Sequence, residues 1–329
     1  MTYRISPLWW PLLAISSPGI VPWLYVKNQK FKNNQIKAEA KNNKRIKQAT
    51  LLDLPELDFL ELTVLVEWSA NKGFLGDAGV SYLFKTNKGT LLLDVGFGPT
   101  RPAFYHNADK LKFHMDTADA LVISHLHCDH MGGMAAQRNR QVSIPKQLMP
   151  LSPIPCFLPD TAQAPGFDVQ IIKKPEVLPS GIATTGPLAR GLFFLGFTEE
   201  QALIARIKGK GLVVFTGCGH PTIEVILKMV GQLSNEPVHA IGGGLHFPIS
   251  DGRGNRMGIR FQTIIGTGKP PWQRITDSDL DKTITTINKT APKQVFLSGH
   301  DICDHALDRM TRKLNADTII LSAGETYTF

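Results

Sequence analysis

Ser124-His125-Leu126-His127-Cys128-Asp129-His130 sets three imidazoles and one carboxylate within six residues. Just before it, Ala120-Leu121-Val122-Ile123 is an apolar, β-branched run that reads as a buried strand. Just after it, Gly132-Gly133 lets the backbone turn sharply or pack closely. A strand that delivers His-x-His-x-Asp-His to a loop can arrange these side chains around one or two metal ions. Neutral imidazole and carboxylate are ligands for zinc, iron and manganese. A lone loop histidine is ordinarily a solvated one. Four ligand-type residues at this spacing are hard to account for by structural need alone.

Three further motifs follow the same pattern of a strand ending in a histidine. Gly211 to Phe215 reads as a buried strand that ends in Gly217-Cys218-Gly219-His220. Val238 to Ile241 leads to Gly243-Gly244-Leu245-His246, and Gln294 to Ser298 leads to Gly299-His300-Asp301. The first motif resembles the signature of the metallo-β-lactamase-fold hydrolases. Together with the later three, it is similar to the dihydropterin-ribofuranosylaminobenzene-phosphate synthase-like branch of that superfamily, from about residue 60 onward. The Gly-His-Asp triplet also resembles one in the family's lactonases.

That resemblance implies an αββα sandwich with the metals at one edge. It implies that His125, His127 and His220 hold one metal, and that Asp129, His130 and His300 hold a second. Many relatives bridge the two with another Asp, where this chain has Gly243-Gly244-Leu245-His246. His246 is therefore expected as a replacement ligand or a substrate contact. Cys128 and Cys218 read as packed small residues. The implied cofactor is one or two zinc ions, with manganese or iron as alternatives. A bound dication would lower the pKa of its water and supply hydroxide, with Asp129 orienting it or moving a proton. The substrate would be a small ester, lactone or phosphoester. Two alternatives stay open: a synthase acting on a phosphorylated pterin precursor, and a non-catalytic metal- or ligand-binding protein tethered to a membrane.

The rest of the chain alternates strand and helix signals, which makes the class α/β. Residues 51–329 read as the globular domain. Residues 138–190 carry prolines at 145, 150, 153, 155, 159, 165, 175 and 179, and read as a connecting segment without long elements. The net charge of +8 lies wholly in residues 1–50, where nine Lys and Arg face only Glu39. The high isoelectric point thus belongs to one segment, and a nucleic-acid partner does not follow from it. The four cysteines form no secreted disulfide pattern, so a reducing compartment is expected.

Ile5 to Val26 carries no charge, and a membrane helix needs about 20 such residues. Residues 1–26 are therefore expected to be a membrane segment, against the helix-breaking tendency of Pro7, Pro11, Pro18 and Pro22. Residues 27–50 read as a basic linker, or over 27–48 a frayed helix, that keeps the catalytic domain in the cytoplasm or binds anionic lipid. The alternative is a soluble cytoplasmic protein with a core-covering arm. Residues 248–275 hold Arg253, Arg256, Arg260, Lys269 and Arg274, and read as a mobile loop recruiting an anionic substrate.

Overall fold

The computed structural model describes residues 3–329. Met1 and Thr2, which open the expected membrane segment, lie outside the described residues. Two sheets stack face to face. The first runs, edge to edge, Thr326–Thr328, Leu60–Val66, Ser81–Thr86, Gly89–Leu93, Ala120–Val122, Pro155–Leu158 and Asp168–Ile171. The second runs Asp317–Ile320, Gln294–Leu297, Val238–Gly243, Gly211–Thr216, Leu203–Ile207, Ala183–Thr184 and Glu176–Val177, with Glu56–Leu57 paired beside Leu203–Ile207.

Period-two side-chain alternation explains the layering. Leu91 and Leu93 face the space between the sheets, whereas Leu92 faces outward. Val213 and Phe215 also face inward, and Val214 outward. The Phe215 ring sits 5.1 Å from Phe84 across the sheets and 6.2 Å from Phe296. Helix α1 spans Trp10–Gln48, and α2 (Ala103–Lys110) covers the outer face of the first sheet. Two short helices, α3 (Cys128–Met131) and α4 (Met134–Asn139), follow the histidine motif. Helices α5 (Ile223–Leu233), α6 (Asp277–Thr290) and α7 (Asp304–Lys313) cover the second sheet. The order is helix, sheet, sheet, helix: the expected αββα sandwich.

In each sheet four successive strands run parallel, from Gly89–Leu93 to Asp168–Ile171 in the first and from Gly211–Thr216 to Asp317–Ile320 in the second. Their carboxyl ends therefore point one way, and the loops that leave them gather at one edge. That geometry brings four separate motifs to a single place.

Two expectations need correction. Residues 138–190 are not merely a connection. Their prolines allow short strands, and Pro155–Leu158, Asp168–Ile171, Glu176–Val177 and Ala183–Thr184 extend both sheets outward, with Pro155 tolerated as the first residue of its strand. Residues 27–48 are no linker either. They continue α1 without a break, because Phe31, Ala38 and Asn42 recur on one helical face and bury against the body. The Asn42 amide pairs with both backbone groups of Ala189 at 2.7 and 2.8 Å, and Lys41 and Arg45 both reach Glu199.

The expected membrane segment also changes character. Among the described residues, no helix is long and apolar enough to cross a membrane. Ser16, Ser17, Pro18, Gly19 and Pro22 dilute the apolar run, and both prolines sit inside α1. The residues ahead of it strap the body instead. Ile5 bridges to Ile259, and the Arg4 guanidinium donates to the carbonyls of Thr263, Pro271 and Gln273.

Candidate metal centre

The strand Ala120–Val122 ends beside Asp94, which closes the neighbouring strand Gly89–Leu93. Asp94 adopts φ 60°, a left-handed conformation that aspartate tolerates better than most residues. Its buried carboxylate takes the Ser124 backbone N–H at 2.7 Å and the Ser124 hydroxyl at 2.6 Å. It also holds His130 Nδ1 at 2.7 Å. His130 Nε2 is thereby aimed at the cluster.

His125, His127 and His220 converge, with ring centroids 4.5 to 4.9 Å apart. His127 rests Nε2 on Thr198 and turns Nδ1 to within 3.1 Å of His220 Nε2. Ser124 contacts His125 Nδ1 at 3.0 Å, which leaves His125 Nε2 buried without a hydrogen-bond partner. Burial pushes His125 and His220 well below the usual histidine range, and His127 down to about 4. All three rings are thus neutral near pH 7. His220 Nδ1, like His125 Nε2, has no hydrogen-bond partner among the described residues, and a cation could accept a free imidazole lone pair here.

Beside this trio lies a second group: Asp129, His130, Cys218 and His300. Cys218 Sγ sits 3.1 Å from His130 Nε2 and 3.3 Å from His300 Nε2. Burial favours the neutral His130 ring, but Asp94 and Asp129 outweigh it and raise the group to about 9. For Asp129, burial opposes ionisation and is outweighed by His130, His300 and His127, so its carboxyl lies below the usual range. The donor set of each group suits a borderline cation such as zinc.

Two buried glutamates brace this edge. Glu67 accepts from Tyr82 Oη at 2.6 Å, from the Ser298 hydroxyl and from the Gly299 N–H. Ser298 in turn contacts His300 Nδ1 at 2.5 Å. Glu200 collects the N–H groups of Gly217, Cys218, Gly219 and His220 at 2.8 to 3.1 Å. Burial raises Glu200 to about 7 despite those donors.

His246 stands with His220 and Cys218, one residue from each group, close enough for the three to share a cation. Its ring lies 4.9 Å from His220, and its two ring nitrogens are buried without partners. Cys218, not His246, occupies the space between His130 and His300. The glycine-rich loop walls the trio: a β-carbon on Gly266 would fall 2.9 Å from His246 Nε2. That loop is also tied down. Arg253 donates to the carbonyls of Gly299 and Ile302 and pairs with Asp304. Arg260 donates to Ser250 O, and Lys269 pairs with Asp279 at 2.6 Å. These cations hold the loop rather than stand free for a ligand.

All the histidines singled out in sequence therefore meet at this edge. His106 and His305 do not, lying exposed at the surface. Sequence reasoning missed the bracing by Glu67 and Glu200 and the position of Cys218. Only Cys218 carried a signal, its place inside a Gly-Cys-Gly-His turn.

Comparison with known proteins agrees. Residues 75–141 match the metallo-beta-lactamase superfamily model. A curated relative from Methanocaldococcus jannaschii, 7,8-dihydropterin-6-methyl-4-(beta-D-ribofuranosyl)-aminobenzene-5'-phosphate synthase, is 22% identical over 241 residues. The match covers 61% of this chain and 82% of that one. A solved metal-dependent hydrolase of the beta-lactamase superfamily superposes with TM-score 0.57 at 21% identity, covering 82% of this chain and 98% of its own. The metallo-beta-lactamase fold protein YhfI from Bacillus subtilis aligns at TM-score 0.49 and 12% identity, over 83% of this chain and 100% of its own. The matched segment contains His125, His127, Asp129 and His130, and the chain shares its fold with that solved metal-dependent hydrolase.

Proposed function

We propose that this protein is a metal-dependent hydrolase of a small ester, lactone or phosphoester. In this reading His125, His127 and His220 hold one divalent ion, and Asp129, His130, Cys218 and His300 a second. The supporting observation is the convergence of buried imidazoles, with His125 Nε2 and His220 Nδ1 left without a hydrogen-bond partner. Ions bound there would activate water and polarise the scissile carbonyl or phosphoryl oxygen. The chain's own residues supply the rest. Asp129, ionised at neutral pH, would accept a hydrogen bond from the attacking water and take up its proton. Asp94 and the Ser298–Glu67 pair fix His130 and His300 by their Nδ1 atoms and so preset both rings. His246, beside His220, is placed to contact the substrate or complete the first site.

The test is turnover of an aryl ester, a lactone and a phosphodiester, each with chelator and after zinc is restored. Loss with chelator and recovery with zinc is expected. No turnover of any probe by zinc-loaded protein would reject hydrolysis. Synthesis on a phosphorylated pterin precursor is the second reading, supported by the name and similarity of the archaeal relative. For α1, exposed Leu12, Ile15, Val21 and Val26 ahead of Lys27 and Lys30 support lying on an anionic lipid surface. Sedimentation with anionic vesicles tests that directly.

A further inference from the structure

Next to His220 and His246 opens a cavity of about 250 Å³, floored by Arg190 and closed by Gly268, with Lys282 at its rim. Arg190 belongs to the strand Leu188–Leu192, outside the sheets and under α1. Its guanidinium makes no hydrogen bond or ion pair with any described residue. Its burial is nevertheless sufficient to lower its pKa from the ordinary arginine value, with Glu224 opposing. Glu224 is already engaged by the Thr283 hydroxyl at 2.7 Å, and Asp279 is spent on Lys269 and on the cap of α6.

Arg190 is half-buried in the cavity lining, and with no partner among the described residues its donors are left to water or a ligand. The chain makes room for it. Gly268 has φ +64°, and a β-carbon there would fall 2.6 Å from Arg190 Nη2 and 2.7 Å from Nε. The Gly268 carbonyl is held from the other side by Gln35 of α1 at 3.1 Å. A glycine pinned so close keeps the guanidinium turned toward the cavity. Its planar fork of donors suits an oxyanion.

We propose that this cavity is an anion subsite in which Arg190, aided by Lys282, grips a phosphate or carboxylate group of the substrate while the reacting bond lies over the histidines. The proposal deepens the hydrolase reading, since it names a substrate class for that site. It differs from the loop clamp expected from sequence, because Arg253 and Arg260 of that loop are engaged in holding the loop.

The test is calorimetric titration of the zinc-loaded full chain with inorganic phosphate and, separately, acetate. Arg190→Gln should weaken binding of the preferred anion roughly ten- to a hundredfold, the range for a lost charge-assisted contact. Arg190→Lys should retain part of the affinity. Lys282→Ala, on the exposed side of α6, should weaken binding a few-fold without any risk to the fold. Metal content should be unchanged in all three. Phosphate binding stronger than acetate would identify a phosphoryl group, and the reverse a carboxylate. Equal affinity in wild type and Arg190→Gln, or no binding of either anion by the zinc-loaded wild type, would overturn the subsite. The titration needs no turnover, so its failure is distinguishable from a failure of hydrolysis.

Discussion

Replacing Glu200 should unmake the turn that carries His220. Its two oxygens take four N–H groups, three on Oε1 (Gly217, Cys218, Gly219) and one on Oε2 (His220). Glu200 is 1% exposed, so water does not stand in for it. In Glu200→Gln, the best orientation keeps the amide oxygen on the three N–H groups and turns the NH2 toward the His220 N–H. One bond to a charged acceptor is lost, about 1.5–3 kcal/mol, and two donors then face each other. In Glu200→Ala all four donors are stranded. At about 1–3 kcal/mol for each unsatisfied group, a loss of at least about 4 kcal/mol is expected, close to the whole stability of many domains. Denaturant unfolding of chelator-treated protein measures both variants. A zinc titration of Glu200→Gln should also show weakened binding, because His220 shifts. A loss below about 1 kcal/mol in Glu200→Ala would refute the view that this carboxylate organises the turn.

Other substitutions probe separate parts of the account. Asp94→Asn turns an amide donor toward His130 Nδ1 and moves the ring proton to Nε2, so zinc affinity by chelator competition should fall about ten- to a hundredfold. Phe215→Ala empties the centre between the sheets and should cost about 3–5 kcal/mol by urea unfolding. Arg4→Ala frees the segment from Thr263 to Gln273, and limited proteolysis should cut there sooner than in wild type. Asp281 is held below the usual carboxylate range first by hydrogen bonds from Arg309 and Lys313. Its depressed value means that its contribution is present above its unfolded pKa of about 3.9 and disappears as pH falls toward the folded value. The melting difference between wild type and Asp281→Asn should therefore shrink as pH drops below 4.

Much of the candidate site was legible in sequence because its histidines come in clusters at strand ends. His125, His127, Asp129 and His130 share one turn, and His220, His246 and His300 each follow an apolar run and glycines. Parallel strands with carboxyl ends on one side bring such turns together. Glu67 and Glu200 were not legible. Glu67 is a lone acid after its strand and Glu200 the second of a Glu199-Glu200 pair, and their partners lie up to 232 residues away. Arg190 was silent for the same reason: its importance lies in having no partner, and sequence does not show partners. Of the membrane reading at the N-terminus, only the span failed. Ser16, Ser17, Pro18, Gly19 and Pro22 dilute the uncharged run, and after residue 27 one face of α1 buries on the protein.

The account stands most directly on metal content. Elemental analysis of purified wild type, His127→Ala and His300→Ala, with folding checked by circular dichroism, tests it. The account predicts a divalent transition metal in the wild type and a marked loss in both folded variants. Unchanged metal content in both, or a wild type that takes up no zinc on dialysis, would contradict it.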